Sequence, residues 1–356
     1  MLIKPINLGV IGAGNIGNVH LSAFKQVPDV HIAAITDVYL PIAAERAAQY
    51  QIEKVYPDAQ KLLEDDEIDA VVIAVSNEWH APIAVQALEA GKHVLLEKPM
   101  ALNVQSAKQI VEAERKSGKV VMIAHQRRWE SVALQVKDQI DKGALGHIYH
   151  AKAAWMRRKG IPGWGTWFTQ MERSGGGPLI DIGVHMLDLT LYLMGNSRPV
   201  SVFGATYAEF GPHKRGIGTW GKPDWNGHYD VEDLATALIK LENGATLSLD
   251  VSWAALTDTD NRPSIQLLGS QGGASLRGQE GKLLAELFDS EVDIPLNDLD
   301  EPEASRLRMN QHFIACVRDG KEPITSVMSG YTNNLILDAI YRSSQSGHEV
   351  IIDWNI

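Results

Sequence analysis

A doubly wound α/β domain followed by an α+β domain with an open, mainly antiparallel sheet and helices on one face is the fold class this 356-residue sequence predicts. Three observations lead there. Up to residue 125, short β-branched apolar runs alternate with amphipathic segments. A glycine-rich turn, Gly12-Ala13-Gly14-Asn15-Ile16-Gly17, joins the first run to the first helix. From about residue 126, strand-like runs follow one another with little helix between them. The expected domains are therefore 1–125 and 126–356.

In the first domain INLGVI, HIAAIT, AVVIAV, KHVLLE and VVMIAH have the look of strands buried on both faces of a parallel sheet, with KVY at 54–56 as a short addition. Asn103 stands where a helix N-cap belongs, and Gly91 and Gly118 where C-caps belong. After a helix over 130–142, the strands expected are HIYHAKAAWM, VSVFGATYAEF, DLATALIKL, ATLSLDVSWAA and SIQLLG. Asn243-Gly244 reads as a tight hairpin, because that dipeptide tolerates the positive φ angles such turns need. Helices over 303–318 and 330–345 and a short strand at EVII close the chain. The stretch 211–227, GPHKRGIGTWGKPDWNG, is long and glycine-rich for a connector and reads as a functional or a mobile loop.

Composition narrows the partners. With 45% hydrophobic residues the chain can bury two cores, and a single cysteine, Cys316, rules out an internal disulfide framework. A reducing, cytoplasmic compartment is the expectation. The first residues run into an apolar strand without a signal-peptide pattern, and no apolar stretch is long enough to span a bilayer. A net charge of -11 argues against nucleic acid and anionic membranes, which need clustered Lys and Arg. A small molecule is the expected partner.

The glycine turn suits a dinucleotide. Its first glycine permits the turn, the second lets the backbone approach a pyrophosphate, and the third packs helix on strand. The bland alternative is an ordinary glycine-rich turn. Asp37 weakens that alternative, since it ends the second strand 20 residues after Gly17, where a carboxylate can take both ribose hydroxyls. The same carboxylate would repel a 2′-phosphate, and Val38 and Tyr39 offer no cation to offset it. NAD is therefore expected in preference to NADP.

Glu97-Lys98-Pro99 closes the fifth strand. Together with GAGNIG, with Ser76-Asn77-Glu78-Trp79-His80 after the fourth strand, and with GGGPLIDIGVH at 175–185, it makes the sequence resemble the Gfo/Idh/MocA family of glucose-fructose oxidoreductase and inositol dehydrogenase over nearly its whole length. The resemblance implies a Rossmann domain, an open antiparallel sheet and an active site between them. By the same similarity Lys98 is the active-site lysine, its bond to Pro99 is cis, and Asp181 with His185 completes the catalytic group. Gly12, Gly14, Asn15, Ile16, Gly17, Asp37 and Ser76 would bind cofactor, with Asn77, His80, Glu97 and Lys98 along its nicotinamide half. One departure stands out: Phe168 follows Trp167 where many members carry Trp-Arg.

Read on their own terms, the residues allow the same chemistry. Lys98 lies at the carboxyl end of a parallel strand, where it can stabilise a substrate oxygen as it becomes an alkoxide; the alternative is a surface lysine. Asp181 and His185, one helical turn apart, share a face, and an imidazole with an ordinary pKa near about 6.5 can take a hydroxyl proton near neutrality. A surface or core pair is the plainer reading of that spacing. Asp188 continues the face, but no second histidine joins it, so no metal is expected. Trp155, Trp164 and Trp167, with Trp220 and Trp225 in the long loop, suit sugar C–H surfaces or equally a domain joint or subunit interface. Arg127 is a further candidate substrate contact or a surface ion-pair partner. His147 and His150 face opposite sides of a strand and read as structural.

The expected function is hydride transfer between NAD and a secondary alcohol of a sugar, glycoside or cyclitol. Two alternatives stand beside it: NAD-dependent glycoside cleavage by oxidation and elimination, and a non-catalytic nucleotide- or sugar-sensing regulator. Alternation in ATLSLDVSWAA places Val251 and Trp253 on one face, which predicts an apolar sheet face in search of a partner and hence a homodimer or tetramer.

Overall fold

In the computed structural model, which describes residues 5–258, 261–301 and 303–354, the first sheet has six strands. These are β1 (Ile6–Ile11), β2 (Val30–Thr36), β3 (Lys54–Val55), β4 (Ala70–Ile73), β5 (His93–Leu96) and β6 (Val121–Ile123). All pair in parallel, in the order β3-β2-β1-β4-β5-β6. Every residue of β4 and β6 is buried, which explains why their sequences show no polar alternation. The order reverses between β1 and β4, so the carboxyl ends of those strands flank the crevice where such sheets bind ligands. Asn103 caps helix Val104–Ser117 by accepting from the Ser106 N–H at 2.9 Å, and Gly118 ends that helix in the left-handed region.

The contact boundary lies at 126/127, one residue from the expected 125/126, and a later segment returns to the first unit. One compact unit comprises the chain to Gln126 together with Glu301–Tyr331; the other comprises Arg127–Asp300 and Thr332 onward. The returning segment belongs to the first unit for a physical reason. β6 is a sheet edge, and its open backbone groups are met by Thr325: Ile123 N–H donates to the Thr325 carbonyl at 2.9 Å, and Thr325 Oγ1 donates to the Ile123 carbonyl at 2.6 Å. Helix Ala304–Asp319 packs on helix Asn15–Phe24 in the same unit.

The second unit is built on nine strands among the described residues: β7 (Ile148–Met156), β8 (Pro199–Tyr207), β9 (Leu234–Leu241), β10 (Thr246–Ser252), β11 (Ser264–Gly269), β12 (Gly273–Arg277), β13 (Glu280–Leu287), β14 (Ser290–Leu296) and β15 (Val350–Ile351). Their order is β14-β13-β12-β11-β7-β10-β9-β8-β15, and β7 with β10 is the one parallel pair among them. Strands β13 and β14 escape sequence reading because they contain no buried residue, so no apolar alternation marks them. The turn between β9 and β10 uses a positive φ at Gly244 (86°) alone; Asn243 does not share it.

The apolar face carrying Val251 and Trp253 is not an open one. Both side chains are fully buried, and the helical run from Leu179 to Leu193 covers β7 and β10 on that side. Residues 332–346 of the last helix cover β8, where Ser343 Oγ accepts from Gly204 N–H at 2.9 Å. The opposite face mixes polar groups, such as the Thr236–Asp250 pair, with the exposed side chains Phe203, Tyr207 and Leu238. No helix among the described residues is long and apolar enough to cross a membrane.

Candidate active site

The glycine turn after β1 is shaped by close approach. A Cβ on Gly12 (φ 101°) would lie 2.2 Å from the Ala74 carbonyl, and one on Gly17 would lie 1.9 Å from the Gly12 carbonyl, so neither position accepts a side chain. Around Gly14, in contrast, there is open space, and no side chain caps helix Asn15–Phe24 there. Its first N–H groups are thus left for an anionic ligand. Asn15 opens that helix, and Ile16 is exposed beside it. Asp37 is fixed against the turn: Oδ2 accepts from Ala13 N–H at 2.7 Å and Oδ1 from Tyr39 N–H at 2.8 Å. Val38 and Tyr39 are exposed, and Arg46 is engaged with Glu45 and Gln49. These residues fit a dinucleotide whose adenosine ribose carries a free diol.

Two members of the expected cofactor set are tied into the first unit by their side chains. His80 is buried between carbonyls, with Nδ1 2.7 Å from the Pro99 oxygen and Nε2 3.1 Å from the Val75 oxygen. It ties the end of β4 to the segment after Lys98. Glu97 is also buried: Oε1 lies 2.9 Å from both His20 Nε2 and Arg306 Nη1, and Oε2 accepts from Lys98 N–H at 3.1 Å. Both side chains are thus held by protein partners within the first unit. Lys98 follows, joined to Pro99 by a cis peptide bond. Ser76 Oγ donates to Glu78 at 3.1 Å, and Asn77 is buried at the start of a short 3₁₀ turn.

In the second unit Asp181 and His185 do not share an ordinary α-helical turn. Leu179–Gly183 is a π-helical turn that runs into helix Val184–Leu193, an irregularity often retained at functional sites. Asp181 is half-buried and His185 buried. Asp181 Oδ2 accepts from the indole Nε1–H of Trp253 at 3.0 Å. Asp188 is engaged elsewhere. Its carboxylate is buried and takes two bonds from Arg128, at 2.8 and 2.6 Å, and one from Asn333 Nδ2 at 3.1 Å. Both carboxylate oxygens are taken up by that ion pair.

Arg127 pairs with Glu130 at 3.1 Å and lies over the Trp155 ring at 4.7 Å. Arg157, which sequence reading did not single out, covers Trp155 as well, at 4.4 Å; burial pushes its pKa down, and the Asp181 charge opposes that. Trp164 is buried, its Nε1–H donating to the Gly211 carbonyl at 2.8 Å and its ring stacked with Trp225 at 5.7 Å and under Lys214 at 4.7 Å. A substrate would find its faces covered. It pins the 211–227 segment, which also pairs at Ile161–Ile217 and Gly163–Trp220, so that segment is an ordered flap on 160–165. His150 Nδ1 contacts Thr246 Oγ1 at 2.8 Å, as a structural histidine would.

Comparison with known proteins gives two successive family matches along the chain. Residues 6–125 match the oxidoreductase family with an NAD-binding Rossmann fold described as GFO_IDH_MocA, and residues 133–275 match a GFO/IDH/MocA C-terminal domain. A D-glucoside 3-dehydrogenase of Escherichia coli (strain K12) is 32% identical, with 98% of each chain covered. A scyllo-inositol 2-dehydrogenase (NAD(+)) of Bacillus subtilis (strain 168) is 28% identical over 98% of this chain and 96% of its own. Among solved structures, a levoglucosan dehydrogenase in complex with NADH and L-sorbose superposes with a TM-score of 0.88, covering 99% of this chain and all of its own at 24% identity, which speaks for the fold.

Proposed function

From the premise that this chain belongs to the GFO/IDH/MocA oxidoreductase family and is an NAD-binding oxidoreductase, we propose that it oxidises a secondary alcohol of a sugar, a glycoside or a cyclitol. The observation that carries this reading is the Asp181–His185 pair on one π-to-α turn, with Asp181 anchored by Trp253. The relatives named as D-glucoside and inositol dehydrogenases support the substrate class.

Bound NAD supplies the acceptor for the carbinol hydride. The residues do the rest. His185 takes the hydroxyl proton, Lys98 donates to the oxygen as its charge grows, and Asp181 orients the pair. Arg157, stacked on Trp155, offers a donor to a neighbouring substrate oxygen. The turn from Gly12 to Gly17 holds the pyrophosphate, and Asp37 takes the ribose diol.

The decisive experiment follows NADH absorbance with a panel of pyranosides and inositols, comparing wild type with Lys98→Ala. Turnover by the wild type and a loss of at least ~10²-fold in the variant are expected. No reduction of NAD by any sugar would favour a sensing regulator, and release of an aglycone would favour oxidative cleavage. A cytoplasmic location agrees with the buried free thiol of Cys316. A homo-oligomer agrees with exposed Phe203, Tyr207 and Leu238 on one sheet face, and light scattering at micromolar concentration would contradict it by reporting a monomer.

A further inference from the structure

Glu232 lies in the loop before β9, far in sequence from the residues above, and its side chain is buried. Its carboxylate nevertheless meets the start of the turn that carries Asp181. Both Oε1 and Oε2 are 3.0 Å from Gly177 N, Oε1 also accepts from Leu179 N–H at 3.0 Å, and Tyr341 Oη donates to Oε1 at 3.0 Å. The Gly177 carbonyl in turn accepts from Asp181 N–H at 3.0 Å. One residue, Gly177, therefore links the Glu232 carboxylate to the Asp181 backbone.

The glycines of the run make this approach possible. A Cβ on Gly177 would lie 2.0 Å from the Glu232 carbonyl, and one on Gly176 (φ 152°) would lie 1.9 Å from Tyr341 Oη. Gly176 and Gly177 are thus close-packing positions against 341 and 232 rather than a flexible linker.

A second anchor of Asp181 leads to the same place. Trp253, whose indole holds the Asp181 carboxylate, donates its own backbone N–H to the Asp233 carbonyl at 3.0 Å, and Ser252 Oγ donates to that carbonyl at 2.8 Å. Backbone and side chain of Asp181 are both set from residues 232–233.

We infer that Glu232 is a positioning residue for the oxidation, holding Gly177 and Leu179 so that the π turn presents Asp181 and His185 in register. The inference rests on the roles proposed above for that pair. A carboxylate suits the task because all its contacts are donors; a glutamine would turn an amide NH₂ toward one of them. Burial pushes the Glu232 carboxyl up in pKa, while the Gly177 and Leu179 N–H groups pull it down.

The test uses the full-length protein and two variants, Glu232→Gln and Tyr341→Phe, the latter removing one donor and leaving the carboxylate in place should the former fold poorly. Amide exchange over 177–185, NADH affinity by fluorescence, and the pH profile of kcat with KM for the best sugar of the panel are measured on each. Expected are faster exchange confined to that segment, NADH affinity within about twofold of wild type, and a kcat lowered by ~10-fold in Glu232→Gln with an altered pH profile and KM changed far less. Tyr341→Phe should move the same quantities less. Unchanged exchange, or a wild-type kcat and pH profile in both variants, would overturn the inference. Inactivity of the wild type toward every sugar would instead strike the reading it rests on, and the exchange data would still decide the anchoring.

Discussion

Arg306 donates from Nη1 to Oε1 of Glu97 at 2.9 Å, and the two side chains are about nine-tenths buried. The pair fastens helix Ala304–Asp319 to the strand end that precedes Lys98. Removing one partner of such a pair leaves the other charge buried, which typically costs about 3–5 kcal/mol. Arg306→Met should therefore destabilise the first unit by that order in urea unfolding, and Arg306→Lys by less. A Met variant within about 1 kcal/mol of wild type would show that Glu97 finds another partner.

Acid should act on the same cluster. Burial alone would raise the Glu97 carboxyl, but the His20 hydrogen bond and the Arg306 charge hold it well below the usual carboxylate range. Its contribution is complete above the unfolded value of about 4.3 and is lost as pH falls from there toward the folded value. Burial, then Arg306, lowers His20, so the folded state favours the neutral ring. That contribution is complete above about 6.5 and declines below it, because the unfolded chain takes up the proton first. His80, His93 and His312 are shifted in the same direction. Calorimetry should show Tm falling between pH 7 and 5 and falling further below 4, with a smaller first decline in His20→Gln. An identical decline in that variant would remove His20 from the account.

Much of this was legible in the sequence where one periodicity dominated. The five β-branched runs, the glycine turn with Asp37, and the Asn103 cap were all visible from local pattern. The rest depended on distant partners. Nothing local to Glu97 announces that Arg306, more than 200 residues later, pairs with it. Trp253 alternates correctly as an inward residue, but nothing local says that a helix rather than another subunit covers it. Glu232 gives no signal at all: its role exists only because the glycine run folds against it. Strands β13 and β14 lack any buried residue and so lack the alternation that marks a strand.

Cofactor choice turns on Asp37, whose carboxylate is held in place by the Ala13 and Tyr39 N–H groups. A 2′-phosphate there would meet a fixed negative charge with no compensating cation at 38 or 39. NADH should bind at least ~10-fold more tightly than NADPH, an estimate that allows for solvent screening of a half-exposed group. Asp37→Ser should narrow the gap, chiefly by weakening NADH. Fluorescence titration of both nucleotides checks this, and equal affinities in the wild type would contradict it.

Trp253→Phe isolates the contact to Asp181. The indole is fully buried, and its N–H donates to Asp181 Oδ2 at 3.0 Å. Phenylalanine keeps much of the apolar bulk but leaves a small cavity and removes a hydrogen bond to a carboxylate, together worth about 2–4 kcal/mol. The unfolding midpoint should fall accordingly. If Asp181 orients His185 and the substrate, the freed carboxylate should also lower kcat by ~10-fold while leaving NADH affinity unchanged, since the cofactor turn lies in the other unit. A variant that loses stability but keeps the wild-type kcat would make Trp253 a packing residue whose indole N–H merely satisfies a carboxylate.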